Sequence, residues 1–351
     1  MRGARFHEPG RVVVDDLPEP EAGPGDIVVA VRAASICGTD RRIAANGHFK
    51  LAPGTPRVLG HEFAGEVVAT GTNVTAYAVG DRVSVTPNVG CGVCEFCRAG
   101  FNNMCPDYDA FGVTLDGGFQ DYVLIPEFAI ARGNVFRLPD GVSYRAAALV
   151  EPLSCCYSAI RQLDVTPAST VLVMGAGPIG ACHVMLSTLY GAKKIIVSNN
   201  RQPRLDFAAS VGADVLVNLG EQKLADVVAR ETDGAGVDIA LTCVSKASVQ
   251  AEAVQLLATF GRVNFFAGLG VAQDVPIDTN RVHYRALTLT GTTGSSNSDY
   301  LTALGFVESG RIDLEAMVSR TFGLEDIGAA MDYAGSGEGM KAMIEFDGNV
   351  R

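Results

Sequence analysis

The feature that most constrains the fold of this 351-residue chain is a glycine-rich turn, GAGPIG, at residues 175–180. It follows the short apolar run STVLVM and leads into GACHVMLSTLYGA, whose apolar residues recur at helical spacing. In a strand–turn–helix unit, such glycines allow a tight turn, close approach of a pyrophosphate to the backbone, and packing of the helix on the strand. The free N–H groups at the helix start favour the phosphates. We therefore predict a dinucleotide site here, formed by Gly175, Gly177, Pro178, Ile179 and Gly180.

The segments after this turn alternate between apolar strand-like and helical stretches, among them KKIIVS, RLDFAASVGA, DVLVNL and KLADVVARET. Such alternation is typical of βαβ units, so we predict an α/β domain with a doubly wound parallel sheet of the Rossmann type over residues 154–290. Residues 1–153 hold short β-like segments bounded by Gly, Pro and Asp, and they predict a mostly β domain. We expect residues 291–351, which end near the strand-like KAMIEF, to return to that first domain.

The end of the strand KKIIVS bears on the choice of dinucleotide. Where an acidic residue commonly binds the ribose hydroxyls of NAD, the chain has Asn199 and Asn200, followed by Arg201 and Arg204. Without a carboxylate there is no repulsion of a 2′-phosphate, and the arginines would neutralise that phosphate. We therefore favour NADP over NAD; the alternative is that Asn199 serves NAD and Arg201 is a solvated residue at a helix start. Further cofactor contacts are expected at the ends of later strands, at Cys243, Val244 and Thr292.

The charge balance excludes several classes of partner. The chain carries 28 basic and 39 acidic residues, a net charge of −11, so it repels nucleic-acid backbones and anionic membrane surfaces. No apolar run reaches the roughly 18 residues of a membrane span, and the N-terminus lacks the apolar core of a signal peptide. We expect a cytoplasmic protein that acts on a small molecule.

Four of the nine cysteines form a local cluster, CGVCEFCRAGFNNMC, with the spacing C-x2-C-x2-C-x7-C. Four thiolates satisfy a tetrahedral zinc ion, and the short spacings let one loop wrap around it. An iron–sulfur site and free cysteines are the alternatives. The cluster predicts a structural zinc site in a loop at about residues 90–106, with the ligands Cys91, Cys94, Cys97 and Cys105.

A second set of metal ligands is dispersed along the chain. Cys37 lies in CGTD, His61 and Glu62 lie in GHEFAGEV, and Glu151 lies in EPLS. Each has an ordinary structural explanation when taken alone, such as a small core cysteine, a hydrogen-bonded histidine or a helix-start glutamate. Their spacing does not by itself establish a metal site.

Seven motifs occur in the order found in the medium-chain, zinc-dependent alcohol dehydrogenase superfamily: CGTD, GHEFAGEV, a G-x-x-V-T-x-Y-x-x-GDRV segment, the four-cysteine loop, GGFQDYV, EPLS and GAGPIG. The chain resembles this superfamily over nearly its whole length. Among its branches, the chain most resembles the polyol, sorbitol-type dehydrogenases. The resemblance implies a GroES-like catalytic domain beside the Rossmann domain, two zinc ions per chain, and a homodimer or homotetramer.

The resemblance also implies roles for single residues. Cys37 and His61 would ligate a catalytic zinc, and Glu151 would stand where simple alcohol dehydrogenases have a second cysteine ligand. Glu62 would bind the metal directly or through water. Thr39 would hydrogen-bond the substrate oxygen and pass its proton on.

The chain departs from the family at one position. The family often has a histidine two residues after the Asp of CGTD, where it takes part in proton relay, but this chain has Arg41 and Arg42 after Asp40. Arginine stays protonated and cannot act as a base. Two explanations remain open: the arginines are solvated or paired with acids such as Asp40, or they hold an anionic substrate.

The sequence thus predicts a zinc-dependent, NAD(P)-linked dehydrogenase that oxidises a secondary alcohol of a polyol, sugar or sugar derivative to a ketone, reversibly. The alternatives are a threonine-type, sugar-acid or sugar-phosphate dehydrogenase of the same superfamily, and a non-catalytic member that only binds cofactor. Retention of Cys37, His61, Glu62 and Glu151 together argues against the non-catalytic alternative.

Overall fold

The structure is a computed structural model that describes residues 1–52, 54–270 and 273–346. Its strands, in chain order, are β1 (Arg2–Glu8), β2 (Arg11–Asp16), β3 (Ile27–Ser35), β4 (Arg57–Val58), β5 (Glu62–Thr70), β6 (Arg82–Val85), β7 (Asn88–Val89), β8 (Asp109–Ala110), β9 (Tyr122–Ile125), β10 (Val135–Arg137), β11 (Thr170–Met174), β12 (Lys194–Asn199), β13 (Val215–Asn218), β14 (Val237–Thr242), β15 (Leu257–Phe265), β16 (Thr288–Gly291), β17 (Val318–Phe322) and β18 (Lys341–Glu345).

The helices are α1 (Gly38–Asn46), α2 (Glu95–Arg98), α3 (Glu127–Ala131), α4 (Tyr144–Ala148), α5 (Val150–Ile160), α6 (Pro178–Leu189), α7 (Gln202–Ser210), α8 (Leu224–Glu231), α9 (Ala247–Gln255), α10 (Thr279–Arg285), α11 (Asn297–Glu308) and α12 (Ile327–Ser336). Short 3-10 helices span Asn102–Met104, Glu315–Met317 and Leu324–Asp326. Within the described residues, no helix is long and apolar enough to cross a lipid bilayer.

The chain divides into two compact units. The first unit comprises Met1–Ser154 and Gly294–Arg351, and the second comprises Cys155–Thr293.

The first unit is built mainly from antiparallel strands. Its largest sheet has the order β10-β6-β5-β3-β18-β17, with β9 also paired to β3, and smaller sheets are formed by β2-β1-β4 and β7-β8. The central strand β3 has the sequence IVVAVRAAS, and all but one of its residues are buried. Such a continuous run of Val, Ala and Ile is what a strand covered on both faces requires. The unit is therefore the mostly β domain that the sequence predicts.

The second unit contains a six-stranded parallel sheet with the order β13-β12-β11-β14-β15-β16. Counted from β11, this is the order 3-2-1-4-5-6, which defines a doubly wound dinucleotide-binding fold. All five residues of β11 are buried, because the strand pairs on both sides and helices cover its faces. The predicted parallel sheet of the Rossmann type is confirmed.

Strand pairing brings distant parts of the first unit to one point. Ser35, at the end of β3, pairs with Glu62, at the start of β5, and also with Met343 of β18. Cys37 lies two residues beyond Ser35, and Lys341 lies two residues before Met343. The residues that follow β3, precede β5 and begin β18 therefore meet at the same edge of the sheet.

Candidate active site

Three of the predicted catalytic ligands converge at this edge. One ligand atom each of Cys37, His61 and Glu62 lies within 4.8 Å of the others. His61 and Glu62 are buried, whereas Cys37 is partly exposed. A cysteine sulfur, an imidazole and a carboxylate together are a ligand set of the kinds that a catalytic zinc site uses.

The buried carboxylate of Asp40 holds the backbone and the His61 side chain of this cluster in place through hydrogen bonds. Its side chain is fully buried, and it accepts hydrogen bonds from the backbone N–H of Cys37 at 2.8 Å, the backbone N–H of Gly60 at 3.2 Å and Nδ1 of His61 at 3.0 Å. A histidine that ligates a metal through one nitrogen commonly donates its other N–H to a carboxylate. The contact with Asp40 therefore leaves Nε2 of His61 as the ligating nitrogen. Burial alone would lower the pKa of His61, but the charges of Asp40 and Cys37 outweigh it and raise that pKa well above its usual range.

Glu62 forms a buried ion pair with a residue far away in sequence. Its Oε2 accepts a hydrogen bond from Nζ of Lys341, which also donates to the backbone carbonyl of Ile36 at 3.2 Å. The second carboxylate oxygen, Oε1, is buried and has no hydrogen-bond partner among the described residues. Burial alone would lower the pKa of Lys341, but the charge of Glu62 outweighs it and raises that pKa. Lys341 therefore remains a cation beside the cluster. The Oε1 atom of Glu62 is available to bind a second cation, such as a metal ion.

Glu151 lies in the same unit, in the first turn of α5, and is 8% exposed. It is not part of the group formed by Cys37, His61 and Glu62 in the described structure. Its charge nevertheless reaches the site, since it contributes to the raised pKa of Lys341. The structure thus places Glu151 in the electrostatic surroundings of the cluster.

Thr39 and the two arginines lie in the first turns of α1. Arg42 donates from Nη2 to Oγ1 of Thr39 at 3.1 Å. The guanidinium of Arg41 lies against α12, since a Cβ added at Gly335 would come within 2.0 Å of Arg41 Nη2. The explanation in which these arginines pair with Asp40 is wrong, because Asp40 is buried and its observed hydrogen-bond partners are Cys37, Gly60 and His61.

The four-cysteine loop gathers its sulfur atoms. The Sγ atoms of Cys91, Cys94, Cys97 and Cys105 all lie within 4.8 Å of one another, and those of Cys94 and Cys105 are 3.8 Å apart. Tetrahedral zinc with Zn–S bonds of about 2.3 Å sets its sulfur ligands about 3.8 Å apart. Backbone N–H groups point at three of these sulfur atoms, at distances of 3.2 to 3.5 Å.

These N–H groups affect the acidity of the thiols. Hydrogen bonds from the backbone of Val93 and Cys94 lower the pKa of Cys91 to about 6. Burial raises the pKa of Cys97 to about 12. Binding of a metal by all four residues must therefore release at least one proton near neutral pH.

The glycine-rich turn of the second unit has the geometry of a phosphate-binding turn. Gly175 has φ of +111°, and a Cβ added there would lie 2.6 Å from Val244 Cγ2. A Cβ at Gly180 would lie 1.9 Å from the carbonyl oxygen of Gly175, so only glycine allows α6 to approach β11 this closely. Gly177 precedes α6, and its missing side chain leaves open space in which Nη1 of Arg204 is the nearest atom, at 3.4 Å. The turn therefore offers a cradle for an anion, with a guanidinium beside it.

A cavity of about 260 Å³ lies next to this turn in the second unit. Its walls include Gly175, Asn199, Asn200 and Val244, all predicted cofactor residues, together with Lys246, which no sequence motif singles out. Asn199 is buried, and its Oδ1 accepts a hydrogen bond from the backbone N–H of Arg201 at 2.9 Å. The carbonyl of the amide is thereby turned towards the backbone, and its NH2 group remains as a donor.

The remaining predicted cofactor residues have other surroundings. Arg201 is exposed at the start of α7. The burial of Arg204, together with the positive charge of Arg201, lowers the pKa of Arg204. Oγ1 of Thr292 accepts hydrogen bonds from Gln162 and Asn264, and Sγ of Cys243 faces the carbonyl oxygen of Leu241. Pro178 and Ile179 form the first turn of α6.

Comparison with known proteins identifies the class to which this fold and site belong. Residues 23–139 match the family model of the alcohol dehydrogenase GroES-like domain, and residues 178–309 match that of the zinc-binding dehydrogenases. The chain belongs to the medium-chain, zinc-dependent alcohol dehydrogenase superfamily, and it is an oxidoreductase.

Individual relatives cover almost the whole chain. It is 31% identical to a sorbitol dehydrogenase of Bacillus subtilis (strain 168), covering 95% of this chain and 93% of the relative. It is 32% identical to an L-threonine 3-dehydrogenase of Pseudoalteromonas translucida (strain TAC 125), covering 97% of both chains. A solved structure of a candidate zinc-binding dehydrogenase from Sinorhizobium meliloti 1021, bound to NADP, is 30% identical and superposes with a TM-score of 0.90, covering 98% of this chain and 99% of that one.

The structure adds Asp40, Lys341 and Lys246 to the residues predicted from sequence. Asp40 carried a usable signal, because an acidic residue three positions after a helix-capping residue commonly caps the helix start. Lys341 carried none, since only the pairing of β18 with β3 brings it to Glu62. Lys246 lies at the start of α9, where a single lysine has no distinguishing pattern.

Proposed function

We propose that this chain is a zinc-dependent dehydrogenase that oxidises a secondary alcohol of a polyol, sugar or sugar derivative to a ketone, reversibly, with NADP favoured over NAD. The observation that carries the proposal is the convergence of Cys37, His61 and Glu62 on one buried edge, with Asp40 orienting His61.

The residues present fit a zinc ion. Glu62 keeps one buried carboxylate oxygen without a protein partner among the described residues, which is costly unless a cation or water satisfies it. Cys37 and His61 supply the sulfur and nitrogen ligands that zinc prefers, and Glu151 is the fourth ligand that we propose from its position in EPLS. Zinc bound there would act as a Lewis acid that lowers the pKa of the substrate hydroxyl.

The chain's own side chains would then orient the substrate and move its proton. Asp40 holds the imidazole of His61 in one tautomer, so the ligand geometry is set before substrate binds. We propose that Thr39 hydrogen-bonds the substrate oxygen and passes its proton on. Lys341 holds Glu62 in position through the buried hydrogen bond from Nζ to Oε2.

The preference for NADP rests on three side chains of the second unit. The amide of Asn199 presents a donor where a carboxylate would repel a 2′-phosphate. Arg201 lies two residues after Asn199, and Lys246 lines the same cavity as Asn199 and Asn200. A phosphate monoester is bound well by one amide donor and two cations. The nicotinamide group of the dinucleotide would accept the hydride.

A threonine-type dehydrogenase is the second candidate. The identity with the L-threonine 3-dehydrogenase, 32%, is nearly the same as that with the sorbitol dehydrogenase, 31%. We favour a polyol because Glu151 in EPLS stands where the resemblance to the sorbitol-type branch implies a glutamate, and because zinc held there would chelate two adjacent hydroxyl groups of a polyol.

A substrate panel tests the proposal. Purified protein with measured zinc content would be assayed with sorbitol, galactitol, threonine and phosphorylated polyols, each with NADP+ and NAD+, by the absorbance of the reduced nicotinamide. We expect turnover of a polyol or sugar derivative, a higher kcat/KM with NADP+, and two zinc ions per chain. Turnover of threonine alone would favour the second candidate, and one zinc per chain without turnover would favour a non-catalytic protein. Better use of NAD+ would defeat the cofactor assignment.

A further inference from the structure

The side chain of Arg42, at the position where the family often has a relay histidine, contacts the hydroxyl of Thr39. Arg42 Nη2 donates a hydrogen bond to Thr39 Oγ1 at 3.1 Å, and the two residues lie one turn apart on α1. Residues three apart on a helix face the same side, so the contact is built into the helix.

No carboxylate competes for Arg42. Among the ion pairs of the described residues, none includes Arg42. Asp40, the nearest acid in sequence, is turned into the protein towards Cys37, Gly60 and His61. Among the described residues, the hydroxyl of Thr39 is therefore the hydrogen-bond partner observed for this exposed guanidinium.

Neighbouring basic residues do not take over this contact. Lys50 donates from Nζ to the carbonyl oxygen of Tyr108 at 2.6 Å and lies 3.4 Å above the ring of the same tyrosine. Nδ1 of His48 accepts a hydrogen bond from the backbone N–H of Lys50. Both residues are thus engaged elsewhere, and the cation at Thr39 is Arg42.

The direction of the hydrogen bond has a consequence for Thr39. A guanidinium has donors only, whereas a hydroxyl has one hydrogen and two lone pairs. Because Arg42 occupies a lone pair of Oγ1, the hydrogen of Thr39 must point to another acceptor. A histidine at position 42 would instead be able to accept that hydrogen, and it could carry a proton away.

We propose that Arg42 is a positioning residue that holds the Thr39 hydroxyl as a donor towards the substrate oxygen. This inference rests on the proposed function, since Thr39 acts on a substrate oxygen only if the chain oxidises an alcohol. The donor to Thr39 is a cation, so it strengthens the hydrogen bond that Thr39 gives to negative charge developing on that oxygen. The proton lost by the alcohol passes through the Thr39 hydroxyl to solvent water and not to residue 42, because a guanidinium cannot accept it.

An interaction that strengthens as charge develops affects turnover more than binding. We therefore expect Arg42→Met to lower kcat about 10- to 100-fold, with KM within about threefold of that of the unmodified protein. Arg42→Lys keeps a cationic donor and should recover most of the lost kcat. The matched control is Arg41→Met, which removes a neighbouring arginine that lies against α12, and its kcat should stay within about twofold of the unmodified value.

A double variant tests whether Arg42 acts through Thr39. In a Thr39→Val background, Arg42→Met should lower kcat by less than about twofold further, because the group that it positions is gone. Zinc content and thermal unfolding of each variant would verify that the fold is intact, and Arg42→Gln is available if the methionine variant misfolds.

The possible results separate this inference from the proposed function. Unmodified protein without turnover of any alcohol in the panel would overturn both. Active protein with kcat unaffected by Arg42→Met would overturn the role of Arg42 alone. That role is also overturned if Arg41→Met is equally damaging, or if the Arg42→Met effect persists undiminished in the Thr39→Val background.

Discussion

The two cysteine-containing clusters of the first unit are built in opposite ways. The four-cysteine loop takes all its sulfur atoms from fifteen consecutive residues, Cys91 to Cys105, and its surroundings are backbone N–H groups of the same loop. The cluster of Cys37, His61 and Glu62 takes its members from the ends of two strands, and its support comes from Asp40 and from Lys341 on a third strand.

This difference in construction corresponds to two different roles, stabilisation of a loop and catalysis. A closed set of four local thiols leaves no position for a substrate, and its metal would stabilise the loop. The dispersed set combines three ligand types with a buried carboxylate and a buried ammonium, so its orientation and charge are fixed by the whole sheet. Such fixed surroundings are what an open, reactive site requires. If stability and catalysis divide between the two clusters in this way, substitutions in one should leave the property served by the other intact.

The largest effect is expected from Cys37→Ala. It removes a ligand of the proposed catalytic site, and the Lewis acid there contributes several kcal/mol, so kcat/KM should fall by about 10³-fold or more. Zinc content should drop by one ion per chain, while the thermal unfolding temperature changes little. Retention of full activity, or loss of both zinc ions, would contradict the division of roles.

The reciprocal change is Cys94→Ser in the four-cysteine loop. We expect loss of the other zinc ion and a fall in Tm of about 5 to 10 °C, which corresponds to about 3 kcal/mol for a unit of this size. The kcat of the folded fraction should remain within about threefold of its original value, because no substrate contact is removed. A loss of kcat as large as that of Cys37→Ala would show that the two clusters are not independent.

Asp40→Asn tests the support of the dispersed cluster. The change removes the charge that orients His61 but keeps the size of the side chain. Loss of such a partner commonly costs about 10- to 100-fold in metal affinity or activity. Competition with a chelator should therefore show one weakened zinc site and one unchanged site. Asp107→Asn, at an exposed position beside the four-cysteine loop, is the control, and equal affinities in both variants would rule out the role of Asp40.

The same comparison explains what the sequence could reveal. The four-cysteine loop and the glycine-rich turn are contiguous, so their geometry follows from local spacing. Cys37 and His61 were recognisable only through a resemblance carried by several motifs at once. From the sequence, Asp40 is one of the acids proposed to pair with the neighbouring arginines. The sequence does not show that Asp40 is buried, because its burial depends on how α1 lies against Gly60. Lys341 could not be found, since strand register, and not spacing, brings β18 to β3.

Fold class followed more directly from the sequence than the site did. Segments such as DIVVAVRAASI and STVLVM are short, apolar and bounded by turn residues, which is typical of buried strands, and they form β3 and β11. The role of Arg42 could not be assigned from the sequence, because one residue pattern was compatible with solvation, with an ion pair or with substrate binding. In the structure Arg42 is exposed and donates to Thr39, a contact that the sequence pattern does not show.

The smallest effect concerns a second buried histidine, which contrasts with His61. His183 in α6 is fully buried, packs edge-on against Phe266 at 5.1 Å, and has no hydrogen-bond partner for either ring nitrogen among the described residues. Burial without a counter-charge lowers the pKa of His183 to about 3, whereas Asp40 raises that of His61. The folded protein therefore keeps His183 neutral at pH values where the unfolded chain, with a pKa of about 6.5, is protonated.

Because the unfolded state binds the extra proton between these two pKa values, His183 lowers stability as the pH falls below about 6.5. The loss relative to pH 8 is about 1 kcal/mol at pH 6 and about 2 kcal/mol at pH 5. His183→Leu, of similar volume, should remove this part of the pH dependence, so the difference in Tm between variant and unmodified protein should grow in favour of the variant as the pH is lowered. His283→Gln, at an exposed histidine of the same unit, is the control and should show no such trend. Parallel Tm curves for His183→Leu and the unmodified protein would mean that the imidazole of His183 has a polar partner, and the contrast between the two buried histidines would then disappear.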